Sequence, residues 1–247
     1  MNLVSRLLSI GTLLLAPAAF AADAFEGKIE MTMTASNSKD KPQVMVYTVR
    51  SDATRIDLKG QPISMIYNLP KHESLILMHE QKMYMTKVIE PSDIPAKEGK
   101  ESDRDAKPEH ASDIEATGKT ETICGYTCNQ FLVKDGKNLT EMWLAEGLGS
   151  FMGMGSGGTG GGGGMGGMFG KKKSNAAAAA KWETVLKGKG GFPMRVISHD
   201  SAGKDTFKME ATKVEKGGVT NADFTAPAGY SKFQMPNLGD MLKGIGG

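Results

Sequence analysis

The strongest constraint in this chain is a cadence of short alternating segments separated by turn-forming clusters. From Phe25 to Ala35, Phe25, Gly27, Ile29, Met31 and Met33 fall on one side, and Glu26, Lys28, Glu30, Thr32 and Thr34 on the other. Successive side chains leave a strand on opposite faces, so period two with one polar face predicts a half-buried antiparallel strand. Comparable runs occur at 43–50, 54–58, 63–67, 74–78 and 82–88, and again at 114–123, 129–133, 140–144, 192–199 and 206–214. The clusters Ser36–Pro42, Lys59–Pro62, Asn68–Lys71, His79–Gln81 and Asp200–Gly203 separate them and supply turn chemistry. Such close spacing predicts hairpins running as a meander. One helix is expected near 175–187: Ser174 and Asn175 offer caps, Ala176–Ala180 are the best helix formers, and Trp182, Val185 and Leu186 make one apolar face for docking on the sheet.

The two ends read differently. Arg6, the apolar run Leu7–Leu15, Pro17 and Ala19-Phe20-Ala21 form a secretory signal peptide with cleavage expected after Ala21. The run falls short of the ~20 residues a spanning helix needs, so no transmembrane span is expected after cleavage. No cysteine follows the cleavage site to accept a lipid anchor, and the mature protein is expected to be soluble and periplasmic. Residues 22–235 are read as a single β-rich domain interrupted twice. The segment 90–113, crowded with Glu98, Lys100, Glu101, Asp103, Arg104, Asp105 and Lys107, has little to bury and is read as a mobile charged loop. The stretch 147–173 is a Gly/Met-rich insertion read as flexible coil, and beyond residue 235 lies a flexible tail, 236–247. Lys and Arg number 30 against 28 Asp and Glu, which leaves no basic field for nucleic acid.

Chemistry-bearing residues are sparse. His72, His79, His110 and His199 lie on separate turns and strand ends, with no zincin or triad pattern around them. The glycine run lacks a following Gly-Lys-Ser/Thr, which excludes a phosphate loop. No catalytic residue and no cofactor are therefore expected. Cys124 and Cys128 are the only cysteines, and in an oxidising compartment a disulfide between them is the natural reading. Four residues of strand span about 13 Å whereas bridged Cα atoms lie within about 7 Å, so this reading requires a turn at Gly125-Tyr126. The 17 methionines admit two readings. Met31-x-Met33, Met83-x-Met85, Met152-x-Met154 and Met165-x-x-Met168 have a spacing that soft copper(I) would accept. The same spacing is what a strand gives to an adaptable apolar lining, and that reading is preferred. It expects no metal, with copper(I) at Met152, Met154, Met165 and Met168 as the competing view.

Several phrases in fixed order carry a resemblance: YNLPK at 67–71, GKTETICGYTC at 118–128, EMWL at 141–144, GFPMRV at 191–196 and FTAPAGY at 224–230. Together they resemble an exported bacterial family known as domain of unknown function 4412. That family is in turn distantly similar to the periplasmic lipoprotein-carrier (LolA/LolB-like) fold. The resemblance implies a mainly β (α+β) class, a curved antiparallel sheet or half-barrel with one or two short helices packed on it, and an apolar concavity able to hold acyl chains. It brings no catalytic residues. With it, Ile29, Met31, Met33, Met45, Tyr47, Met83 and Met85 become the candidate lining of a face that binds a lipid-like ligand or an envelope partner protein. The alternative is an interaction or scaffold protein with a filled core.

Overall fold

The computed structural model describes residues 24–36, 41–88, 113–135, 137–149, 151 and 191–233. The signal peptide, nearly all of the charged loop, most of the Gly/Met insertion, the helix expected near 175–187 and the C-terminal tail lie outside the described residues.

The alternating runs become strands where they were expected. β1 (Gly27–Ala35), β2 (Gln43–Arg50), β3 (Ala53–Leu58), β4 (Ile63–Asn68), β5 (Glu73–Met78) and β6 (Met83–Val88) form a first antiparallel meander. β7 (Asp113–Ile123), β8 (Tyr126–Asp135), β9 (Asn138–Ala145), β10 (Phe192–His199) and β11 (Asp205–Lys216) form a second, and Asp113, expected in the charged loop, opens β7. A two-residue strand, β12 (Ser231–Lys232), pairs in parallel with β6. The two meanders are joined by antiparallel pairing of β1 with β11, giving one open curved sheet in the order β12-β6-β5-β4-β3-β2-β1-β11-β10-β9-β8-β7.

The seam is tight. A Cβ on Gly27 would stand 2.1 Å from the carbonyl oxygen of Glu215, so only glycine lets the start of β1 lie against β11. Beyond the ladder, the Gly217 amide donates to Glu26 O at 2.7 Å.

One face collects the apolar residues of both meanders. The opposite face is polar over much of the sheet, with surface pairs such as Lys59–Glu30 at 2.7 Å and Lys213–Glu215 at 2.8 Å. Over β3–β5, however, the outer face is also apolar: Ala53, Ile66 and Leu77 cluster there, with Leu75 and Tyr84 packed against them. This patch is covered by the chain after β11. A 3₁₀ turn at Asn221–Phe224 is closed by Asp223, whose Oδ2 accepts from the Thr220 amide at 2.7 Å and hydroxyl at 2.8 Å. The turn drives Phe224 into the patch, with the Arg50 guanidinium 4.6 Å from its ring centroid. Arg50 also donates to Asn221 Oδ1, and Arg55 to Asp223 O. The strap ends on the sheet edge, where Ser231 and Phe233 amides donate to Lys82 O and Tyr84 O at 2.9 and 2.7 Å. It thereby covers part of an edge strand that would otherwise offer a pairing template. The opposite edge, β7, is interrupted by a bulge between Ala116 and Thr120 that includes Gly118 at φ +74°.

Phe224 anchors the strap, so Phe224→Ala is expected to cost about 3 kcal/mol and to accelerate hydrogen exchange at the Ser231 and Phe233 amides. Amide exchange followed by NMR checks this; unchanged protection there would show that the strap is held by other contacts.

Candidate functional site

The inner face is built by strand register. Met31 stands opposite Met45, and Ile29 opposite Tyr47. From Tyr47 one row runs outward through Ile56, Met65 and Ile76 to Met85. A second row crosses the seam from Met33 through Met209, Val196 and Met142 to Phe131. All seven lining candidates therefore lie on the rows of one face. Ile29, Met31, Met45 and Tyr47 are at most 1% exposed, whereas Met33, Met83 and Met85 are half-buried. Residues of the second meander, chiefly Met142, Val196 and Met209, share this face and escaped sequence reasoning. Their own alternation is plain, but only the β1·β11 pairing shows that the two apolar faces are one.

The face is not bare. The chain leaves β9 after Ala145 and turns through Gly147 and Gly149, both left-handed at φ +79° and +83°. This turn lays Leu148 (0% exposed) and Phe151 (5%) into the core cluster. The opening residues of the Gly/Met stretch are thus packed and not flexible linker, which corrects the sequence expectation there. The cause is apolar side chains following two glycines that let the backbone fold back. The Phe151 ring lies 5.3 Å from that of Tyr47 and 5.6 Å from that of Phe192, and Tyr47 and Phe192 meet edge-on at 5.4 Å. Burying such a ring is worth roughly 2–3 kcal/mol, with about 1 kcal/mol more from each aromatic pair. A cavity of about 470 Å³ lies elsewhere, at the start of β1 beside Ala24, Glu26, Lys216 and Gly217.

The cysteine expectation is corrected. Cys124 and Cys128 are free thiols, Cys124 exposed and Cys128 buried. The turn falls at Cys124-Gly125, with φ +50° and +85°, so that Ile123 pairs with Tyr126 and Cys128 is drawn along β8 opposite Glu121, three positions from Cys124. Cys124 Sγ donates to Ala211 O, and Cys128 Sγ to Tyr126 O. Burial raises the pKa of both thiols, reinforced at Cys124 by Glu210, so both favour the protonated form.

On the outer face a polar network ties the strap to the sheet. Arg55 is bidentate to Asp57, and Ser64, 1% exposed, lies between Asp57 and His79. Ser64 Oγ is 2.6 Å from His79 Nε2, and His79 Nδ1 is 2.8 Å from the Tyr230 hydroxyl. The spacing is that of a nucleophile and a base, but the protons run the other way. The Asp57 carboxylate can only accept, so Ser64 donates to it and His79 Nε2–H donates to Ser64, while Nδ1 is engaged by the Tyr230 hydroxyl. The group is a fully engaged latch. His72 sits exposed on a turn, His199 lies between Glu141 and Asp205 at 3.2 and 2.9 Å, and His110 is outside the described residues. Among the described residues no group of three or more His, Cys, Asp or Glu side chains is placed to hold a metal. The methionines proposed for copper(I), Met152, Met154, Met165 and Met168, are outside them.

A second polar cluster turns away from Val196 and Met209. Arg195 holds Glu121 through two nitrogens at 2.7 and 3.0 Å and Glu210 at 2.7 Å, while Lys208 reaches Glu210 at 2.5 Å. Burial opposes the Glu210 carboxylate, but hydrogen bonds from Lys208 and Arg195 outweigh it and hold its pKa below the ordinary value. A lowered folded-state pKa contributes stability that is present above the unfolded pKa and lost as pH falls through the depressed value. Glu210→Gln is therefore expected to cost about 1–2 kcal/mol at neutral pH and progressively less in acid. Thermal unfolding between pH 7 and pH 2.5 checks this; a constant gap would contradict it.

With this geometry in place, comparison with known proteins assigns the chain: it belongs to the family described as Domain of unknown function (DUF4412), whose model matches residues 25–230. No curated protein matches its sequence. Three solved structures to which the chain is similar at low identity are these. An uncharacterized conserved protein from Thermus thermophilus is 8% identical, with 84% of this chain and 90% of that chain covered at a TM-score of 0.43. The Pseudomonas aeruginosa MucA/MucB complex is 10% identical, with 82% and 56% covered at 0.44. A LolA superfamily protein from Nitrosomonas europaea is 8% identical, with 83% and 91% covered at 0.32. Among the described residues no helix is long and apolar enough to cross a membrane.

Proposed function

We propose that this is a non-enzymatic, exported binding protein of the bacterial periplasm that takes an apolar, acyl-chain-like ligand on the inner face of its sheet. The N-terminal pattern of Arg6, Leu7–Leu15 and Ala19-Phe20-Ala21 supports export. The observation that carries the binding reading is the inner face itself: a surface of thioethers and aromatics drawn from both meanders, onto which a segment belonging to no strand is laid. Methionines on such a surface conform to guests of varied shape, and a mostly apolar lining is what small-molecule sites share.

A second reading is favoured by the burial of Ile29, Met31, Met45 and Tyr47 to 0–1% exposure. In that reading the face is a permanently filled core and the outer surface serves a protein partner.

Native mass spectrometry of the protein purified from periplasm, followed by organic extraction and lipid analysis, separates the two. Binding predicts a reproducible co-purifying lipid whose occupancy falls at least severalfold in Met45→Gln. A clean apo mass, with no lipid in the extract, would overturn it in favour of the filled core.

A further inference from the structure

The strap closes the start of the β6 edge, but among the described residues nothing pairs with the free side of β7 at the other end of the sheet. From Ile114 to Ile123 only Ile123 is buried, so this strand is wet on both faces as well as along its edge. Its two halves differ. At Thr117-Gly118-Lys119 the strand bulges, and the bulge is locked: the Thr117 hydroxyl donates to Gln130 Oε1 at 2.9 Å and accepts from the Lys119 amide at 3.2 Å. From Thr120 to Ile123 the ladder with β8 is regular and closes on Cys124-Gly125, a two-residue turn of the I′ kind, since both φ are positive. In such a hairpin the residues flanking the turn, Ile123 and Tyr126, exchange both backbone hydrogen bonds, and bonded and non-bonded pairs alternate from there. Glu121 therefore turns its amide and carbonyl to β8, while those of Thr120 and Thr122 point out of the sheet, ready to pair.

Charge decides what fits this edge. Lys119 and Glu121 flank Thr120 and, two apart on a strand, lean to the same face. The Lys119 ammonium has no partner among the described residues, whereas Glu121 holds Arg195 with its side chain still 39% exposed. A strand laid antiparallel here meets Glu121 first and Lys119 last, so it fits when it reads base-x-acid. Lys119-Thr120-Glu121 is itself such a sequence. We propose that β7 is a dimerisation edge on which two copies of this chain pair antiparallel about a two-fold axis at Thr120, with Lys119 of each copy facing Glu121 of the other. The neighbouring registers are worse. An axis at Glu121 sets the two carboxylates against each other, and one at Thr122 leaves both charges without a partner. In the favoured register Thr122 faces Gly118 of the other copy, where the left-handed backbone at φ +74° carries no side chain to block the approach. Beyond that point the bulge turns the strand away, so the contact is short and belongs with the weak, reversible interfaces below ~1,200 Å². The bulge thus confines edge pairing to one register, which an unbroken edge would not do. The pairing uses none of the lining candidates and stands whether or not the inner face takes a ligand.

Sedimentation velocity on the full mature chain, from micromolar to millimolar concentration, tests the dimer. The expected result is a concentration-dependent exchange between monomer and dimer that weakens as salt is added. Lys119→Glu, which changes an exposed side chain and brings carboxylates together at both ends of the pairing, weakens the dimer about tenfold. Thr120→Pro abolishes it while removing no amide that β8 uses. In a Cys124→Ser background, Thr120→Cys joins the copies through a disulfide when oxidised glutathione is added, since facing residues of a bonded pair stand about 5.5 Å apart at Cα, within disulfide span. Thr122→Cys does not, because its two copies lie four residues apart along the strands, about 13 Å. A monomer at every concentration overturns the proposal. So does a dimer that Lys119→Glu and Thr120→Pro both leave intact, which puts the contact on another surface, and so does cross-linking at 122 equal to that at 120, which denies the register. A chain that stays monomeric yet retains a different envelope protein, and loses it in Thr120→Pro, overturns the second copy as occupant in favour of a foreign strand.

Discussion

The pairing of β1 with β11 is the interaction on which the rest of the molecule depends. Each meander by itself is a sheet with one apolar face and two raw edges, a form that aggregates more readily than it folds. The seam removes an edge from each and turns two apolar faces into one. It joins residues roughly 180 positions apart, so its loop-closure entropy is recovered only when both meanders are present, which predicts slow, late closure in folding. Gly27 shows how closely the two strands approach, since no side chain fits between its Cα and the Glu215 carbonyl.

The seam also divides the labour between the two faces. Inside, Tyr47 of the first meander and Phe192 of the second meet across it, and the Phe151 ring packs against both. Outside, the chain emerging from β11 is delivered onto the back of β3–β5, where Phe224 covers an apolar patch and Tyr230 reaches His79. The strap then closes part of the β6 edge. One pairing thereby sets the apolar inner face, the cover of the opposite face and the protection of a sheet edge.

The strands were legible in the sequence because period two survives wherever one face is wet, as along Ile29, Met31 and Met33. Strand order was not, because local alternation carries no information about which distant strand supplies the partner. The strap had a signal that alternation obscures: Ile66, Leu75, Leu77 and Tyr84 are apolar at positions that point away from Met65 and Ile76, and an outward apolar row implies a cover. The cysteine bridge failed on turn placement, which sets Cys128 opposite Glu121 and not Cys124. At Leu148 and Phe151, composition misled outright, since a glycine-rich stretch reads as coil even where two of its members serve to fold apolar side chains inward. The lining candidates Met31, Met45 and Tyr47 were within reach because they share a strand pair, whereas Met142 and Met209 required the seam.

We propose the inner face as a site whose guest contacts thioethers from both meanders. The most direct measurement is methyl NMR on methionine-labelled protein with a spin-labelled stearate as guest. A guest on the inner face predicts paramagnetic broadening of Met31, Met45, Met142 and Met209 together, in a saturable manner. Sharp resonances at these four positions, with any broadening confined to exposed methionines, would contradict it.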